Sequence, residues 1–315
     1  MLLKLLSKKY VLIFTFFSLI WSGWLLASSC HGGGGGETLV LPSGQRYQFG
    51  FSTSYRFIQG SFDSYGGYTS QSKNSSISST TTSWSGGVRL SESWQLSWAL
   101  PLTYNKYVYS GKDHSRASFG DPVFETRYTF LEDVRFLWYQ PELSFYGGIR
   151  LPFGTSTYNS SDPYGADVVG EGLSFVHSGM SAAKLFRPFK LTVNWIFYYP
   201  LEKEVDQIRN RSVAPYDFKS GNRIVLNGVA NYLISNHWAT ALGIKGFWIL
   251  KSKKDQNVVE GSSARLFSMT ASLGYAYDVS WGMALNYETP FPFYKYGVNQ
   301  PNSHTLSLSV NYGIF

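Results

Sequence analysis

The chain has 315 residues, with 27 Lys+Arg against 20 Asp+Glu, a single cysteine, and 10 Trp, 23 Tyr and 23 Phe. Charged residues are only 15%, yet mean hydropathy is −0.14. A helical membrane protein needs runs of about 20 apolar residues, and none follows residue 27. A soluble core has no use for so many Tyr and Trp, and a lone cysteine excludes an intrachain disulfide.

Residues 1–10 carry Lys4, Lys8 and Lys9, and the uncharged, mostly apolar run 11–27 ends in Ala27-Ser28-Ser29. This is the pattern of a secretory signal over residues 1–29; a retained anchor is the alternative, short for a membrane span. Cleavage removes three bases and no acid, so the net charge falls from +7 to +4 and the basic balance makes no case for nucleic acid. Leu25-Leu26-Ala27-Ser28-Ser29-Cys30 resembles a lipobox, which makes Cys30 a lipidation candidate. Cys30 and His31 are two soft-metal ligands and do not make a site. Residues 30–44, with five consecutive glycines, have no period and read as a flexible Gly-rich periplasmic lead-in.

From Tyr47 onward the chain alternates with a period of two. Tyr47, Phe49, Phe51, Tyr55 and Phe57 share one face of a first strand; Trp84, Gly86, Val88 and Leu90 mark a second, and Leu96, Trp98, Leu100, Leu102 and Tyr104 a third. Phe124 to Phe130 define the fourth and Leu137 to Leu151 the fifth. Residues 171–185 form a sixth, with both faces mixed. Strands seven to eleven follow around Trp195, Leu226, Ile244, Met269 and Leu285. Leu306, Leu308, Val310 and Tyr312 mark the twelfth, expected beside Tyr47, Phe49, Phe51 and Tyr55. An exposed terminal strand with one apolar face invites aggregation unless it pairs with the first.

Twelve alternating strands with near-zero mean hydropathy predict an all-β, 12-stranded antiparallel transmembrane β-barrel of the bacterial outer membrane over residues 45–315. Short turns at 91–93, 131–133, 186–189, 235–237 and 278–280 interleave with long loops, which puts both termini in the periplasm. Trp94, Trp238 and Trp281 directly follow short turns, at one headgroup boundary. The expected partners are outer-membrane lipids, the barrel-assembly machinery and a small solute. The opposite faces predict a lumen lined by Arg46, Arg56, Arg89, Glu125, Arg127, Glu142, Arg150, Arg223, Lys245 and Glu288. Charges at this density are paired or hydrated, so a salt-bridge filling and a conducting lining both fit. A twelve-stranded barrel lies between the filled eight and the open sixteen, predicting a narrow pore.

Ser118-Phe119-Gly120-Asp121-Pro122-Val123, Pro141, Gly148-Ile149-Arg150-Leu151-Pro152-Phe153-Gly154 and the Gly-rich stretch 170–179 resemble a family of outer-membrane transporters named after the meta-cleavage pathway of phenol degradation. The resemblance covers about residues 104–200 and implies uptake of small hydrophobic or aromatic compounds. The same residues have local readings: Gly120-Asp121-Pro122 turns the chain out of a loop, and Pro152 with Gly154 ends a strand.

A plugged structural barrel, or one that interacts through its surface loops, is the rival to passive passage. Outer-membrane phospholipases, barrels of the same size, set a His and a Ser two residues apart on the lipid-facing side of a strand. Here, counting from His177, Gly179 stands where that serine belongs, and adjacent Ser178 points the other way. The expectation is therefore no enzyme. No zinc spacing, phosphate-cradling loop or dinucleotide fingerprint predicts a cofactor.

Overall fold

The structure, a computed structural model, describes residues 38–315 apart from 43, 73, 110, 134–138, 163, 209–210 and 292–296. Cys30 and the leader lie outside the described residues. Twelve long strands form the wall: β1 Tyr47–Phe62, β2 Ser75–Arg89, β3 Trp94–Tyr109, β4 Val123–Leu131, β5 Glu142–Arg150, β6 Phe175–Phe186, β7 Phe189–Pro200, β8 Arg223–Leu233, β9 Trp238–Ile249, β10 Ala264–Ala276, β11 Trp281–Pro290 and β12 Gln300–Ile314. Each pairs antiparallel with its sequence neighbour, and β12 pairs with β1, so the sheet closes on itself. Closure satisfies every edge, which is what allows strands to cross hydrocarbon.

The closing register sets Tyr312 against Phe49, Val310 against Phe51 and Leu306 against Tyr55, with Ile314 against Tyr47. Tyr312 and Ile314 are exposed on the outward face, and Phe315 lies past the end of the strand. Gly313 points inward against the Gln45 side chain, where a Cβ would sit 2.3 Å from its amide carbon. The missing side chain at Gly313 thus leaves room for Gln45.

Alternation is visible in exposure: Trp94, Leu96 and Trp98 are exposed, while the intervening Gln95 and Ser97 are buried. The exposed set carries the aromatics, and Trp94–Tyr128, Trp238–Tyr275 and Trp281–Tyr312 pack as ring pairs at 4.7 to 4.9 Å. These pairs form a girdle at the short-turn end. The ten-residue climb from Trp94 to Tyr104, at about 3.3 Å per residue and a tilt near 40°, is about 25 Å high, the height of an apolar band. Beyond it the outward residues turn basic: Lys106, paired with Asp113 at 2.9 Å, and Arg265.

Two readings from the sequence shift. The sixth strand begins at Phe175 rather than residue 171, because Gly172 has φ +68, incompatible with an extended run. The fifth begins at Glu142: Leu137 lies outside the described residues, and Tyr139 precedes the strand. Long loops also contain strands of their own. Lys112–Phe119 extends the wall by pairing with the upper part of β3, and Lys203–Ile208, Arg211–Lys219, Lys253–Lys254 and Asn257–Val258 form a separate four-stranded sheet.

Candidate lumen site

Following the ladder around the wall shows that its two halves differ. Inward residues Gly274, Ala284, Ser309, Ser52, Ser83 and Pro101 succeed one another across β10, β11, β12, β1, β2 and β3. On the other side the sequence Glu125, Gly148, His177, Tyr198, Arg223 crosses β4 to β8, and below it run Arg127, Tyr146, Gly179, Ile196, Val225 and Phe247. Along these rows one side of the interior is therefore walled by small residues and the other by charged and bulky ones. Tyr146, Leu173, Phe175, Ile196, Tyr198 and Val225 pack there as a buried cluster inside the barrel.

The charges cluster against these rings. His177 Nε2 lies 3.3 Å from Glu125 Oε2, Arg127 Nη2 lies 3.8 Å from Glu125 Oε1, and the Arg127 guanidinium sits 4.7 Å from the Tyr146 ring centre. Arg223 donates through both terminal nitrogens to the Glu171 carboxylate, at 2.5 Å to Oε1, and Arg150 Nη1 is 3.5 Å from the same oxygen. Lys245 is 3.4 Å from Glu288, which also accepts from the Ser268 hydroxyl at 2.8 Å. Arg46, Arg56 and Glu142 have the inward parity but their side chains make no hydrogen bond or ion pair among the described residues, and Arg46 and Arg56 are exposed. Sequence reasoning missed Glu171, which it placed inside a strand, together with Tyr146, Phe175 and Tyr198. Their signal was the mixed faces of strand six: Phe175, His177 and Gly179 are inward, with Val176 and Met180 outward. His177 thus faces Glu125 inside the wall, on the side opposite to Ser178, and does not form a lipid-facing His–Ser pair.

The short-turn mouth is narrowed by the chain itself. Arg89 donates to the carbonyls of Leu41, Pro42, Gln45 and Glu92 at 2.8 to 3.0 Å. Gln95 accepts the Leu41 N–H at 3.0 Å, and Leu41 is 2% exposed. Its side chain lies over Gly87, where a Cβ would meet Leu41 Cδ1 at 2.4 Å. Residues 30–37 of the expected lead-in lie outside the described residues, whereas Leu41 and Gln45 are held against the wall.

The long-loop mouth is partly roofed by residues 151–174. Asn105, on the inner face of β3, donates to the carbonyls of Ala166 and Val168 at 3.1 and 2.8 Å. Asp121 draws the base of the loop together, accepting the N–H of Gly154 at 2.8 Å and of Glu171 at 3.1 Å. Gly154 and Gly170 meet beside it so closely that a Cβ on Gly170 would lie 2.8 Å from Gly154 Cα. The Gly-Asp-Pro and Leu-Pro-Phe-Gly stretches singled out in the sequence are the two sides of this clasp. Burial pushes the Asp121 carboxyl above its ordinary value, and the two N–H bonds hold it back.

Within the loop, Asp167 is partly desolvated, which pushes its carboxyl up, but donors from Ser160, Ser161 and Asp162 outweigh this and leave it below 3.8. A group lowered on folding adds stability above its unfolded value, and that stability is lost as pH falls through the folded one. Protection of the loop against an acid-active protease is expected to hold from neutrality to about pH 3.8 and to decline below it. In Asp167→Asn this step should vanish; a step of unchanged size would remove Asp167 from the account.

Comparison with protein-family models finds no match, and neither does comparison with curated proteins. Among solved structures, an outer-membrane channel from Pseudomonas putida F1 superposes with a TM-score of 0.68, covering 89% of this chain and 98% of that one at 12% identity. The β-domain of the Bordetella autotransporter BrkA (TM-score 0.48, 10% identity, 86% and 100% covered) and the Ralstonia pickettii toluene transporter TbuX (0.43, 6%, 86% and 90%) are also similar. The closed wall, apolar outside and charged within, makes this chain a transmembrane β-barrel of the bacterial outer membrane.

Proposed function

We propose that the barrel is a channel for passive passage of small solutes, hydrophobic and aromatic ones included. The observation that carries this reading is the small-residue half of the inner wall, because Gly, Ala and Ser side chains cannot fill an interior of twelve strands as bulky ones do. The Pseudomonas putida protein with the same barrel is a channel, and the resemblance of residues 104–200 to the phenol meta-cleavage transporters supports aromatic compounds as the solute class. Of the predicted charged residues, Glu125, Arg127, Arg150 and Arg223 line the passage on its opposite side.

Single-channel recording on the refolded chain, combined with solute flux into liposomes, is expected to give small discrete steps. A silent bilayer and no flux would sink the reading and favour the rival, a plugged barrel serving the envelope or its surface contacts, which the Leu41 and 151–174 packing supports. In the proposed orientation both termini are periplasmic. A maleimide that does not cross membranes should therefore label Ser76→Cys on intact cells and leave Ser93→Cys unlabelled; the reverse pattern would invert the topology.

A further inference from the structure

We propose that Arg150 and Arg223 form a carboxylate-binding site at the long-loop mouth, occupied here by the chain's own Glu171, and that a small solute carboxylate takes Glu171's place. The proposal rests on the channel reading and names a solute class for it.

The two cations are built into the wall and the anion is not. Arg150 ends β5 and Arg223 begins β8, and both guanidiniums lie over Phe175, at 5.8 and 4.4 Å from the ring centre. Arg150 also lies 5.7 Å from the ring centre of Tyr198. Phe175 and Tyr198 are 1% and 7% exposed, so these platforms are fixed and the guanidiniums hold their positions without Glu171. Glu171 comes from the loop, and its side chain is 37% exposed against 11% for Arg223. Its backbone N–H is held by Asp121, so the carboxylate can swing out while the clasp stays closed.

The fork also has unused capacity. Arg223 Nε is buried and has no hydrogen-bond partner among the described residues. Asp121, on the Glu171 N–H, and Lys203, on the Gly172 carbonyl at 3.1 Å, also lie beside the fork. The planar, two-oxygen geometry that Glu171 shows against Arg223 is the geometry a solute carboxylate would use. The rings beside the fork favour an acid with an apolar body over a fully hydrated anion.

Isothermal titration of sodium benzoate into the full chain in detergent tests this, with folding of each variant confirmed by its heat-dependent gel shift. Wild type should bind, Glu171→Gln should bind about tenfold more tightly once the charged rival is gone, and Arg150→Gln/Arg223→Gln should lose binding. Equal affinity in wild type and Glu171→Gln, binding retained in the double variant, or inorganic phosphate bound more tightly than benzoate would each overturn the site. Binding in detergent does not depend on current. A chain that binds benzoate but never conducts overturns passage alone, and one that conducts in potassium chloride but binds no benzoate overturns the fork alone.

Discussion

Asp121→Ala is expected to free the 151–174 loop, raising single-channel conductance several-fold and exposing residues 156–168 to protease. Asp121 is 8% exposed and is the shared acceptor for Gly154 and Glu171. Removing it leaves two backbone donors at the base of the loop without their partner, at about 1–3 kcal/mol each. A local opening that becomes easier by about 2 kcal/mol is about thirtyfold more populated, so cleavage should accelerate by at least tenfold while the barrel's own melting hardly moves. Asn105→Ala should give a smaller effect in the same direction, since it releases the far side of the loop only. Gly170→Ala provides a second route to opening that keeps the Asp121 side chain, because its Cβ would meet Asp121 Oδ1 at 2.5 Å and the Gly154 Cα at 2.8 Å and press the two sides of the clasp apart. If protease sensitivity is unchanged in both Asp121→Ala and Gly170→Ala, the clasp does not hold the loop.

At the opposite mouth, Arg89→Ala should release the segment around Leu41. One guanidinium bonds four carbonyls there, three of them in that segment. Charge-assisted bonds contribute about 1.5–3 kcal/mol each and do not add fully, so a loss of about 3–5 kcal/mol of local hold is expected. Gln95 alone, with its bonds to Leu41, would not retain the segment. The measurement is hydrogen exchange at Leu41 together with conductance: both should rise. Gly87→Val tests the same contact from the wall side, since even a Cβ would overlap Leu41. Arg89→Lys keeps the charge but not the planar fork and should recover only part of the hold. Unchanged exchange at Leu41 in Arg89→Ala would show that the segment is held by other means.

Much of the wall was legible before any coordinates. Tyr47, Phe49 and Phe51 alternate with Gln48 and Gly50, and this local period places them on opposite faces wherever the strand ends up. Ser91-Glu92-Ser93 and Asp278-Val279-Ser280 are too short to be anything but tight turns, and the tryptophans after them mark the boundary. Strand six was the weak point. Phe175 is apolar and points inward, and Ser178 is polar and points outward, so the usual pattern fails where the barrel packs rings against its own charges.

The inner site was legible only as a set of candidates. Parity singled out Arg150 and Arg223 as inward, but nothing local says that both meet Glu171, which is 21 residues from one and 52 from the other. Likewise, Glu125 meets His177 because Gly148 lies between them in the ladder and leaves the space open; a Cβ on Gly148 would sit 2.6 Å from the His177 ring. The motif at Gly120-Asp121-Pro122 read as a turn out of a loop; it is instead the break between Lys112–Phe119 and β4, which both pair with β3, and its carboxylate acts on a loop 33 and 50 residues further along.

The sequence alone therefore determined the strand number, the lipid-facing side of every strand but the sixth, the short-turn end of the barrel and the pairing of the last strand with the first. All of these follow from local alternation and turn length. Only the tertiary structure decided which charge meets which, that one half of the interior is walled by small residues, and that Leu41 and the 151–174 loop close in on the two mouths. The physical reason is that period two fixes a side chain's face but not its height in the barrel. Height comes from the stagger of every strand against its neighbours, and that is a property of the closed sheet as a whole.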